Sequence, residues 1–333
     1  MKKAIPILCL LLCLSGFLLS GCSSSKQQSY QKIETGPFQS YEIDENGTLW
    51  VWGTTVGRET NVPEDAKNED YPLPKPTALA ENVAAVSTGE TFVLILKNDG
   101  TLWGCGTYPR RYTDKESVVP EPQKLMDNVK SISAEGLRLM AVDKSGNLYD
   151  WGRTDSKDSS ETRPVKLMDG VDKVFTSDTR ALIIKPDSSL WWWNPSSFEE
   201  FITEPQKLMK NVVFAATGNE VSAAISGDGK LWRWDDPSAD ATLVAENIAF
   251  AAVDTVPGND VVVYITKDGE LWSDSYDFET GTPAATPVKL LDNAKEAALC
   301  GGNLIALDND GVLHGWGNND LFTLSGCDVS HTK

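Results

Sequence analysis

Short apolar runs recur along this chain, each interrupted by an acidic or amide residue beside glycine, and no stretch sustains the 3.6-residue period of a helix. The segment FVLILKNDGTLWGCG, from Phe92 to Gly106, shows the form. Two apolar stretches flank Asn-Asp-Gly, and the glycine supplies the positive φ that a tight hairpin demands. Along Leu-Trp-x-Trp, alternation sends Trp50 and Trp52 to one face of a strand and Leu49 and Val51 to the other. The pattern predicts strands, three or four to a unit, and an all-β chain.

The unit repeats seven times. Its copies are NGTLWVWG (Asn46 to Gly53), DGTLWGCG (Asp99 to Gly106), SGNLYDWG (Ser145 to Gly152), DSSLWWWN (Asp187 to Asn194), DGKLWRWD (Asp228 to Asp235), DGELWSDS (Asp268 to Ser275) and DGVLHGWG (Asp310 to Gly317). The turn positions are 53, 46, 42, 41, 40 and 42 residues apart, the spacing of a solenoid or propeller. Sheets this small must bury both faces against neighbours, and a ring does so without an exposed terminal unit. The expected fold is a seven-bladed β-propeller over residues 31–329, packed by Trp50, Trp103, Tyr149, Trp191, Trp232, Trp272 and His314, with Trp52, Trp151, Trp193, Trp234 and Trp316 two positions on.

A second phrase precedes most units and reads as an opening arm: Pro76 to Val83, Pro122 to Val129, Pro164 to Val171, Pro205 to Val212, Ala241 to Ile248 and Pro287 to Ala294. Six arms serve seven turns. Residues Lys32 to Gly53 match Ala85 to Gly106 with no arm before them, so Asp320 to Val329 is expected to supply the outer arm of the first blade and let the two chain ends close the ring.

On these copies of Asp-Gly-x-Leu-Trp-x-Trp-Gly the chain resembles the RCC1 repeat, the seven-bladed propeller of the eukaryotic chromosome-condensation regulator. It departs from that pattern at Ser188, at Asp274 and Ser275, and in lacking Gly-x-Asn-x-x-Gly-Gln-Leu-Gly between repeats, faintly echoed at Gly317-Asn318-Asn319. The resemblance implies a propeller. The family includes an exchange factor for a small GTPase and secreted bacterial inhibitors of β-lactamases, and neither activity transfers residue by residue.

The first 21 residues read as an export leader: Lys2 and Lys3, an apolar stretch from Ala4 to Leu19, then Leu19-Ser20-Gly21-Cys22. This resembles a bacterial lipoprotein signal, with Cys22 acylated and residues 22–30 a flexible tether to the extracytoplasmic face of a cell membrane. An ordinary cleaved leader is the alternative. Without residues 1–21 the chain holds 28 basic and 48 acidic residues, a formal charge of −20, which argues against nucleic acid and against lying on anionic headgroups. Cys300 and Cys327 could pair outside the cell, while Cys105 occupies a tryptophan position and reads as a small buried residue.

Catalytic signals are thin. His314 and His331 are the only histidines, and there is no zinc spacing, nucleophile elbow, phosphate loop or HExxH. Asp308 to Gly311 begins like a calcium loop but lacks its later ligand, so no metal and no cofactor is expected. Chemistry is expected instead on the inter-repeat loops, Thr54 to Lys75, Thr107 to Glu121, Arg153 to Arg163, Pro195 to Glu204, Asp235 to Asp240 and Asp274 to Thr286, all on one face. Their aromatics, Tyr71, Tyr108, Tyr112, Phe198, Phe201, Tyr276 and Phe278, stand among acids such as Glu199 and Glu279. They suit an extracytoplasmic protein partner or stacking on sugar rings; equally, they could fold onto blade edges. The expected function is a monomeric, non-catalytic, surface-anchored binding scaffold, with an envelope glycan-binding module or a wall-acting hydrolase or lyase as alternatives.

Overall fold

The computed structural model describes residues 32–37, 39–53, 76–107, 118–136, 138–151, 164–177, 180–194, 204–236, 238–256 and 259–317. Every regular element among them is a strand. Residues 31–333 form one unit, in which seven antiparallel sheets follow one another in chain order. The first blade runs Ile33–Thr35, Gln39–Ile43, Leu49–Gly53 and Thr77–Ala80; the second runs Val83–Thr88, Phe92–Lys97, Leu102–Thr107 and Val118–Met126. The seventh holds Ala294–Cys300, Asn303–Asp308 and Leu313–Trp316 among the described residues.

The first strands of successive blades touch one another around a closed circuit, and Ile33–Thr35 packs on both Val83–Thr88 and Ala294–Cys300. The molecule is therefore an all-β, seven-bladed β-propeller. Burial peaks in the second strands and falls toward the rim. Second strands such as Ala181–Ile184 are wholly buried, whereas outer strands such as Gln206–Met209 keep their first half exposed. Alternation in the third strand sorts the tryptophans as expected. Trp191 and Trp193 pack toward Met140 and Leu148 of the third blade, while Leu190 and Trp192 pack toward Ala224 and Trp234 of the fifth.

Where a copy holds two aromatics, they have separate tasks. Trp52, Trp151, Trp193, Trp234 and Trp316 are 0–5% exposed and fill the seams between blades. The earlier aromatic is half-buried and ties back to its own hairpin: Trp50 Nε1 donates to Asp44 at 3.0 Å, Trp103 to Thr101 at 2.8 Å, Trp191 to Ser189 at 2.7 Å and Trp272 to Glu270 at 3.3 Å. His314 meets Asp308 at 2.9 Å in the corresponding place. Asp308 also accepts from the backbone amides of Asp310 and Val312, so this acidic turn satisfies itself.

The arms belong to the blade they follow. Leu49 pairs with Ala80, Trp50 with Ala78 and Val51 with Thr77, which makes the first arm the outer strand of the first blade. That blade already has four strands, so the expected role of Asp320 to Val329 as its outer arm is corrected; the segment itself lies outside the described residues. Sequence order misled because the arm is separated from its partner strand by a long loop but joined directly to the next blade. The joint is a left-handed residue, Asn82, Asn128, Asn211, Asn247 or Asn293 at φ 59–66° and Gly170 at φ 71°. Asparagine tolerates this conformation better than other residues with a side chain. The amide after the joint then donates to the preceding blade's hairpin: Val83 to the Gly47 carbonyl at 2.8 Å, Val129 to Gly100 at 2.8 Å, Val212 to Ser188 at 2.9 Å. Each of the first six blades is thus stitched to the next at one end of the sheets.

Cys300 and Cys105 are free, buried thiols, so Cys300 is not bridged to Cys327. Cys22, with the whole leader and tether, lies outside the described residues.

Candidate functional site

The two faces of the ring differ in kind. One carries the Asp-Gly hairpins and the Asn joints, nearly the same in every blade. The other carries the connections from third to outer strand, which vary from blade to blade in length and composition. Glycine marks the exit to this variable face. Gly106 sits at φ +114° with the Thr91 carbonyl 2.3 Å from where a Cβ would lie, and Gly317 at φ +116° lies 2.4 Å on the same measure from the Gly302 carbonyl. Neither position admits a side chain.

Among the described residues, the sixth blade presents an insertion on this face. Tyr276–Asp277 and Thr282–Pro283 pair as a small hairpin, turned by the Asp277 carboxylate accepting from the Glu279 amide at 2.9 Å, with Gly281 at φ 70°. Tyr276 is half-buried and meets Phe278 edge-on at 5.0 Å between centroids. Phe278 is only 5% exposed and packs with Trp316 and Leu304, the blade-edge placement that the sequence left open beside ligand contact, and it pins the hairpin onto the seventh blade. Trp316 Nε1 donates to Glu279 at 3.2 Å, which fixes the hairpin again. Thr280 and Thr282 remain exposed at its tip. Tyr71, Tyr108, Tyr112, Phe198 and Phe201 lie outside the described residues.

Two departures from the repeat explain themselves here, and sequence reasoning gave neither a role at the site. Asp274 stands where most blades have a tryptophan. Its carboxylate pairs with Arg233 of the fifth blade at 2.8 Å, accepts from the Val262 amide at 2.9 Å and binds the Ser275 hydroxyl at 2.8 Å. An ion pair thus replaces the indole at that seam. Cys105 stands at the equivalent place in the second blade, and there the space is left open. A cleft of about 230 Å³ runs between the first two blades, walled by Tyr41, Val51 and Leu79 on one side and Val93 and Cys105 on the other. Glu90 and Glu121 edge it. Burial pushes the Cys105 thiol up to about 12, with Glu121 adding to the effect, so it is an apolar wall and not a nucleophile. The Tyr41 phenol is raised by burial and by Cys105, and donates to Gln39. The signal that could have found the cleft was visible: a tryptophan position occupied by a small residue.

Nearer the axis, side chains cross from one first strand to the next. Ser87 accepts from the Ala134 amide at 2.9 Å and Ser133 from the Thr176 amide at 2.9 Å. Glu34 plays this part toward Thr88, and burial raises its carboxyl to about 8 despite that bond. Glu296 accepts from the Lys32 amide across the closing seam and is raised by burial too. Among the described residues no cluster of three His, Cys, Asp or Glu side chains is arranged to hold a metal ion.

A rigid ring with one uniform and one variable face is the architecture of a propeller scaffold. No protein-family profile matches the chain. Over 143 residues it is 32% identical to the guanine nucleotide exchange factor SRM1 of Saccharomyces cerevisiae, a stretch covering 36% of this chain and 29% of that protein. Over 150 residues it is 21% identical to protein pim1 of Schizosaccharomyces pombe, covering 37% and 27%. The chain therefore spans less than a third of the length of these curated relatives. Solved structures of similar architecture include human WBSCR16, at TM-score 0.63 and 16% identity over 82% of this chain and 89% of that one. Prp20p of Saccharomyces cerevisiae, studied for its binding to Gsp1p and histones, aligns at TM-score 0.64 and 15% identity over 86% and 82%. The fold is that of the RCC1-like propellers.

Proposed function

We propose that this protein is a non-catalytic binding scaffold, tethered to a bacterial membrane through Cys22, that engages an extracytoplasmic protein partner with the variable face. The observation that supports this most is the asymmetry of the ring: hydrogen-bonded turns consume the polar groups of one face, while the other holds a cleft and a pinned hairpin. The structural neighbours Prp20p, which binds Gsp1p and histones, and yeast RCC1, solved bound to Kap60, show the fold used for protein recognition. The formal charge of −18 favours a basic partner surface.

A photo-crosslinking residue placed in the full-length protein in its native cells tests the face. Positions Glu90 and Thr280 should yield a discrete protein adduct, and Glu45 and Asp310 on the opposite face should not. Equal labelling from both faces, or none from the variable one, overturns the reading. Cys22→Ala should move the protein out of the membrane fraction; retention there refutes the anchor. The SRM1 likeness favours a second reading, a nucleotide-exchange scaffold. It predicts accelerated nucleotide release from a small GTPase that co-purifies with the protein.

A further inference from the structure

We infer that the cleft between the first two blades receives an aromatic side chain, flanked by basic residues, from a protein partner. The inference rests on the variable face being the binding face and names what it takes. Its foundation is the repeat itself. In the fourth, fifth and seventh blades the side chain two residues after the first aromatic points at the preceding blade: Trp193 lies against Leu148 and Met140, Trp234 against Leu182 and Leu190, Trp316 against Val261 and Leu271. Strand register confirms the equivalence, since Cys105 pairs with Val93 as Trp193 pairs with Ala181 and Trp316 with Leu304.

Where this indole is missing in the sixth blade, Arg233 and Asp274 close the seam at 2.8 Å. In the second blade nothing comparable takes its place among the described residues, and the cleft of about 230 Å³ remains. An apolar cavity of about 150 Å³ suffices for a benzene ring, so this one admits a bicyclic ring. The walls are apolar, with Tyr41, Val51 and Leu79 on one side and Val93 and Cys105 on the other. The rim selects charge. Glu90 and Glu121 are both exposed, and no lysine or arginine is among the described lining residues. An incoming indole beside lysine would restore in trans the packing that Trp193, Trp234 and Trp316 make in cis.

The probe is a Lys-Trp-Lys peptide carrying 5-fluorotryptophan, followed by fluorine NMR against detergent-solubilised full-length protein, with micelles alone as background. Saturable binding is expected, weakened about 10-fold or more when the peptide acids replace its lysines (Glu-Trp-Glu), and absent for Lys-Ala-Lys. Cys105→Trp should fill the cleft, abolish binding and raise the melting temperature. If that variant does not fold, the exposed pair Glu90→Gln and Glu121→Gln carries the test and should weaken Lys-Trp-Lys about 3- to 10-fold. No saturable binding, or binding indifferent to these substitutions, overturns the inference. Binding that emerges only in Tyr108→Ser/Tyr112→Ser also overturns it, because the occupant is then the chain's own loop. A photo-crosslinked partner retained by Cys105→Trp would leave the variable face standing while the cleft falls.

Discussion

Replacing Trp193 with alanine tests the packing scheme at its most explicit point. Its indole is 1% exposed, sits between the third and fourth blades, and its Nε1 has no hydrogen-bond partner, so nearly all it contributes is apolar contact. An indole buries roughly 200 Å². At about 25 cal/mol per Å² that transfer is worth about 5 kcal/mol, an upper figure because the unfolded chain already buries part of it. The cost expected for Trp193→Ala is therefore about 3–5 kcal/mol. Trp191, two residues away on the same strand face, supplies the control. It is half-buried, donates to Ser189 at 2.7 Å and lies 3.9 Å below the Lys185 ammonium. Losing a half-buried ring, one hydrogen bond and the cation–π contacts to Lys185 and Lys207 should cost about 2 kcal/mol. Urea unfolding of the full-length protein, followed by tryptophan fluorescence and circular dichroism, measures both. A Trp193→Ala cost below that of Trp191→Ala, or below about 1 kcal/mol, would refute the assignment of this indole to a seam.

Three further outcomes follow from the same geometry. Ser188 holds φ 59° where the other hairpins have glycine, and only its backbone is bonded across the joint, so Ser188→Gly should raise stability by about 0.5 kcal/mol; a lower melting temperature contradicts this. Asp274→Ala leaves Arg233 with its weaker partner Asp235 at 3.3 Å and should cost about 2 kcal/mol in thermal unfolding, while a neutral effect would mean the seam is held otherwise. Glu34 keeps its proton up to about 8 in the folded state and loses it in the ordinary glutamate range, near 4.5, when unfolded, so its contribution is full below about pH 4.5, declines steadily above that and is lost as pH rises through 8. Glu296, also raised by burial across the closing seam, adds to the effect in the same direction. Melting temperature should fall over that window, and Glu34→Gln should flatten the fall; an unchanged slope would show that another group titrates.

Much of the ring was legible because repetition makes one physical argument seven times. Asp-Gly fixed the hairpins, and the alternation of Leu49, Trp50, Val51 and Trp52 fixed which side chains share a face. The assignment of the arms was not legible, because a strand may pair with whichever neighbour the intervening loop reaches, and only register shows that Thr77 and Ala78 return to Val51 and Trp50. The site divides in the same way. Phe278 and Tyr276 occupy one loop with the same local pattern, yet three-dimensional packing buries the first and leaves the second half-buried. Cys105 and Asp274 carried the stronger signal. Each broke a repeat at the residue that fills a seam, and each break coincides with a local feature, one a cleft and the other an ion pair.

The closed ring is tested most directly by native-state hydrogen exchange. In a closed circuit the second strands of the first and seventh blades, Gln39–Ile43 and Asn303–Asp308, are covered on both sides like Ala181–Ile184 of the fourth. Their slowest amides should open with free energies within about 1 kcal/mol of one another, at the global value. Fraying of the first and seventh blades well before the fourth, as an open stack of repeats would show, contradicts the ring.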